Sequence, residues 1–153
     1  MERENDIVKD AYYLVSLFKK DNKSVTQLHI QKLMFLVEAF YMCITNESQL
    51  YECQYKAWNF GPVATQLYKK FKIYGKEEIV LNESQIADGE SITEEKKNII
   101  KAIYEVFKEF SAMDLVKFTH AEGSPWKKAW DNEQYSVISK EEMKNWFSKY
   151  VKN

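Results

Sequence analysis

Thr26-Gln27-Leu28-His29-Ile30-Gln31-Lys32-Leu33-Met34-Phe35-Leu36-Val37-Glu38-Ala39-Phe40-Tyr41-Met42-Cys43-Ile44-Thr45 is the stretch on which the fold turns. Advancing at helical pitch, its polar members Gln27, Gln31 and Glu38 fall within about 40° of the circumference. Leu28, Phe35, Ala39 and Met42 lie on the side away from Leu33, Val37, Phe40 and Ile44. A helix apolar nearly all round has to be covered on most sides by other elements. Ser24 or Thr26 serves as its N-cap. The expectation is therefore a central buried helix over residues 26–45. Its most apolar run, Leu33 to Ile44, contains Glu38 and is too short to span a bilayer.

Upstream, Ile7, Ala11, Leu14, Val15 and Phe18 share an arc of roughly 100°, which makes an amphipathic first helix ending in Lys19-Lys20-Asp21-Asn22-Lys23. Downstream, Tyr51 to Trp58 alternates weakly and reads as one strand or an extended segment. Gly61-Pro62 reads as the opening of a third helix, because proline's missing N–H costs nothing at the first helical position. Val63, Leu67, Phe71 and Tyr74 would form its inner face, with Gly75 as the stop. Residues 76–92 read as a polar, flexible connection whose only strand-like run is Ile79-Val80-Leu81.

Ser91-x-x-Glu94 has the form of a capping box before a stripe of Ile99, Ile100, Ile103, Val106, Phe107 and Phe110. Ser111-x-x-Asp114, Ser124-Pro125 and Ser139-x-x-Glu142 open three more helices, the last over about residues 140–150. The predicted fold is mainly α: a compact single domain over residues 1–153, with about seven helices around the central one and at most two or three short strands.

Composition narrows the function. A chain of 153 residues that is 45% hydrophobic and 15% aromatic supplies one core and leaves rings for the surface. Net charge is −1, and Arg3 is the sole arginine against 21 lysines, which argues against a nucleic-acid reader built on arginine forks. Lys69, Lys70, Lys72 and Lys76, with Lys19, Lys20 and Lys23, could form a basic patch or simply solvated helix ends. Cys43 and Cys53 form no paired motif and read as buried free thiols. The N-terminal residues carry no leader pattern, so the expected location is the cytoplasm, with no membrane association.

His120 and Glu122 lie two apart in a turn. Either they form a general acid–base pair, or His120 satisfies backbone at a helix junction; nothing nearby in sequence supplies a nucleophile. His29 and His120 lack metal-ligand spacing, and no phosphate-loop or dinucleotide fingerprint is present, so neither metal nor cofactor is expected. Trp58, Trp126 and Trp130 fit a core or an interface equally well.

Three segments occur in order: Leu28-His29-Ile30-Gln31-Lys32-Leu33-Met34-Phe35, Ala57-Trp58-Asn59-Phe60-Gly61-Pro62-Val63, and Thr119-His120-Ala121-Glu122-Gly123-Ser124-Pro125-Trp126. Together they resemble the Panacea domain, the SocA-like antitoxin family, over about residues 7–131. Phe60 stands where the family has tyrosine, Phe118 where it has leucine, and Gly123 or Ser124 lengthens the last turn. The resemblance implies no catalysis. It implies neutralisation of a toxin from an adjacent gene by direct binding, in one branch by delivery to a cytoplasmic protease. Gln31, Lys32, Trp58, Phe60, Gly61, Pro62, Tyr68, His120 and Trp126 are then the candidate motif or toxin-binding residues, with Trp58, Phe60, Tyr68 and Trp126 as an aromatic surface, while Gln31 and Lys32 could equally satisfy buried backbone or side-chain groups.

Overall fold

The computed structural model describes residues 2–151, with side chains from Asp6 onward. The described residues form eight α-helices and three short strands. Helix α1 spans Glu2–Lys20 and α2 spans Gln27–Thr45; strands β1 (Tyr55–Trp58) and β2 (Gly61–Ala64) follow. Then come α3 (Thr65–Phe71), α4 (Glu83–Glu90), α5 (Glu94–Phe107), α6 (Ala112–Thr119), α7 (Pro125–Asn132), strand β3 (Val137–Ile138) and α8 (Lys140–Ser148).

Helix α2 is the predicted centre. Residues 30–39 are all buried, and α1, α3, α5, α6, α8 and strand β2 pack around it. By length and composition α2 could cross a bilayer, but 61% of its most apolar window is covered by the rest of the domain, which accounts for its apolarity. Thr26 is the N-cap, with its N–H directed at His29 Nδ1. Of the two thiols, Cys53 is buried, whereas Cys43 is only half-buried.

Gly61-Pro62 does not open a helix. Residues 61–64 are a strand, paired antiparallel with β1 in the register Ala57↔Pro62 and Trp58↔Gly61, and α3 begins only at Thr65. Sheet order β2-β1-β3 leaves β2 at an edge, where a residue without an N–H is tolerated as readily as at a helix start. The segment at 76–92 also differs from expectation. Ile79-Val80-Leu81 is not a strand, although Ile79 N–H bonds the Val25 carbonyl. Residues Glu83–Glu90 form α4, started by an Asn82/Gln85 capping box. Gly89 lets α4 lie directly on α1, since a Cβ there would stand 2.8 Å from Tyr13 N. Helix α5 is capped by Thr93, not Ser91, and Val106 faces outward at 65% exposure. The Ser111, Ser124 and Ser139 caps all stand where the sequence puts them.

Two charged knots tie the core. Glu38 of α2, fully buried, accepts from Leu50 N–H, Tyr51 N–H and Lys140 Nζ at 2.8, 3.1 and 2.8 Å. Lys140 also donates to the Tyr51 carbonyl, so the first residue of α8 locks the chain leading into β1. Asp10 of α1, also fully buried, accepts from the Tyr51 hydroxyl and lies 3.5 Å from Lys96. Burial pushes its carboxyl up to about 6, against the opposing pull of Lys96.

Candidate functional site

Gln31 and Lys32 hold the hairpin against α2. The Gln31 side-chain carbonyl accepts from Ala64 N–H at 3.0 Å, and Lys32 Nζ donates to the Pro62 carbonyl at 3.1 Å. Both residues are buried, at 2% and 0% exposure. The polar stripe of an otherwise apolar helix thus serves the backbone of an edge strand. Burial draws the Lys32 amine down to about 7. Gly61 makes room for it: φ is +119°, and a Cβ there would stand 2.6 Å from Lys32 Cε.

Helix α7 secures the other end of β1. Ser124 accepts from Lys127 N–H, Pro125 fills the first helical turn, and Trp126 Nε1 donates to the Trp58 carbonyl at 2.7 Å. The His120 imidazole lies flat on Trp126, with centroids 3.6 Å apart and planes 4° apart. Its Nε2 is buried without a hydrogen-bond partner among the described residues. Burial, then the charges of Lys32 and Lys127, lower its pKa, which keeps it neutral at pH 7. Glu122 is exposed and makes no hydrogen bond to His120 among the described residues, so the acid–base pair is not assembled.

All three motif segments therefore meet in one place, beside a cavity of about 340 Å³. Its lining includes Gln27, Leu28, Gln31 and Lys32 from α2, Trp58, Asn59, Phe60 and Val63 from the hairpin, Tyr68 from α3, and Gly75, Lys76 and Tyr135. Phe60, Tyr68 and Tyr135 are 56%, 37% and 54% exposed, and Trp58 packs edge-on against Tyr68 at 5.0 Å. Trp126 is 5% exposed: it belongs to the interior and is not part of the aromatic surface, because its indole N–H is committed to the hairpin. Two members of the basic cluster are already engaged, Lys20 with Glu90 at 3.7 Å and Lys23 with Glu109 at 3.2 Å. No group of three or more His, Cys, Asp or Glu among the described residues is placed to hold a metal ion.

A family model described as "Antitoxin SocA-like, Panacea domain" matches residues 30–127. The chain belongs to this family. No curated protein and no solved structure matches it. The stretch matched to the Panacea domain starts one residue before Gln31 and ends one residue after Trp126, so it spans the motif cluster. Helix α8 lies beyond the match, although it packs on α2 and buries Met143, Trp146 and Phe147.

Sequence reading missed Tyr135, Leu28 and Lys76 as cavity residues. Tyr135 follows α7 in a loop and adopts φ +66°. It is held by its own N–H bonding the Ala57 carbonyl, a long-range bond with no local sequence signal. Leu28 opens the first motif segment and Lys76 belongs to the candidate basic patch, but nothing in the sequence places either beside the hairpin.

Proposed function

We propose that this Panacea-domain protein is an antitoxin that acts in the cytoplasm by binding its toxin directly, with the cavity face as the contact surface. The observation that carries the reading is the contrast within one site. Buried Gln31, Lys32, Gly61, Pro62 and Trp126 fix the hairpin, while Phe60, Tyr68 and Tyr135 stand exposed around the opening. Tyr68 is braced by Trp58 and Tyr135 by Trp130, and rings braced before contact lose little freedom on binding, which favours a tight interface. The toxin would be the product of a neighbouring gene, and binding rather than catalysis would be the activity.

Co-expression with the adjacent open reading frame tests this. Growth arrest caused by the neighbour should be relieved by this chain, and the two should co-purify; absence of both effects refutes the proposal. Toxin abundance in rescued cells separates blocking, in which it holds steady, from delivery to a protease, in which it falls.

A further inference from the structure

Three polar groups at the cavity lack hydrogen-bonding partners they could use. Gln31 Nε2 is buried without a partner among the described residues, its own carbonyl being committed to Ala64. Lys32 Nζ meets the Pro62 carbonyl, which leaves donor capacity unused in an ammonium with three N–H groups. Gln27 Oε1, one helical turn before Gln31, is likewise buried and unpartnered. Donors left empty in an apolar setting are costly, and an acceptor carrying negative charge is the group that relieves them most. Among the described residues, the lining includes two lysines, Lys32 and Lys76, and no carboxylate.

The walls add a size and polarity requirement. Leu28, Val63, Phe60 and Tyr68 offer apolar surface, and about 340 Å³ accommodates one large residue rather than a run of several. On the footing that this face is where the partner docks, we infer that the cavity receives the C-terminal residue of the partner, an apolar one. Lys32 and Gln31 are 0% and 2% exposed, so their side chains would shift on binding; the terminal residue's carboxylate would then meet Lys32 and Gln31, its backbone N–H would meet Gln27 Oε1, and its side chain would fill the apolar volume. A chain terminus presents these three features from a single Cα. An internal Asp or Glu supplies the charge but leaves the apolar space empty.

The probes are N-acetyl-phenylalanine, its uncharged amide N-acetyl-phenylalaninamide, and N-acetyl-Asp-Phe-amide, which carries the charge on a side chain. Each is titrated into the full chain while amide and indole signals are followed by NMR. The acid should bind at least tenfold more tightly than either amide, with shifts at Gln31, Trp58 and Phe60. Lys32→Met should abolish the preference. The other titratable groups near Lys32 are His120, whose pKa burial lowers, and Tyr68, Lys76 and Tyr135 of the lining. Affinity for the acid should therefore fall up to tenfold per pH unit above about 7 as Lys32 loses its proton. Affinity for the amide should not change. This profile needs no variant, so it decides the matter even if Lys32→Met does not fold. Equal affinity for acid and amide, no binding of the acid, or tighter binding of N-acetyl-Asp-Phe-amide would overturn the assignment. Acid-selective binding by a chain that fails to rescue growth would instead sink the antitoxin proposal and leave the cavity chemistry standing.

Discussion

Replacing Lys32 with methionine tests whether a charged-residue type is truly buried at the heart of the motif cluster. In the folded protein its amine titrates near 7, against 10.5 for an ordinary lysine. Between those values the unfolded chain carries a proton that the folded chain does not, so stability rises with pH, by about 1.4 kcal/mol per unit. Below pH 7 the amine is charged in both states and contributes no slope. Lys32→Met removes this linkage and also leaves the Pro62 carbonyl without its donor, a loss of about 1–3 kcal/mol that does not vary with pH. The two effects separate in urea denaturation at pH 6, 7, 8 and 9, with wild type and variant side by side. The stability difference should be flat from pH 6 to 7 and then move by about 2–3 kcal/mol in favour of wild type by pH 9. Taking the difference cancels titrating groups not coupled to Lys32, such as Cys53, whose thiol burial pushes up to about 12; His120, which feels the Lys32 charge, does not cancel. A difference that stays constant from pH 6 to 9 would mean that the Lys32 amine titrates alike in the folded and unfolded chain, and the account of its burial would fail.

Other outcomes follow from the same geometry. Gly61→Ala meets the Lys32 side chain and an unfavourable φ, and should cost about 2–3 kcal/mol, seen as a lowered Tm with the fold retained. Phe60→Ala removes an exposed ring and should shift stability by less than about 0.5 kcal/mol while abolishing toxin neutralisation in the growth assay. Loss of stability without loss of neutralisation would reverse the roles given to these two positions. Asp10, with its carboxyl raised from 3.8 to about 6, contributes stability that is complete below pH 3.8 and lost as pH rises through 6. Asp10→Asn should therefore flatten the wild-type decline of about 3 kcal/mol over that interval, read from denaturation midpoints.

Local chemistry was legible wherever a single residue decides. A serine three positions before an amide that needs an acceptor announced α6, α7 and α8, and the four-sided apolarity of α2 announced its burial. Gly61-Pro62 misled because proline suits a helix start and a sheet edge equally, and only the distant partner strand decides between them. Helix α4 escaped notice since, apart from Ile86, it offers little apolar surface, yet Asn82-x-x-Gln85 did carry its cap signal. The burial of Trp126 and the joining of Lys32 to Pro62 depend on contacts across 68 and 30 positions of chain, which no periodicity encodes. The resemblance supplied the grouping of these residues, and the folded chain supplies its physical cause.

The bond from Lys140 to Glu38 spans 102 positions. On a ribosome, the carboxylate of α2 emerges long before the cation that neutralises it. A nascent or prematurely terminated chain would hold an unbalanced anion in its centre and lack the apolar cover of α8, a defect of several kcal/mol. Fragments ending before α8 are therefore expected to be more open to proteolysis than chains that carry it.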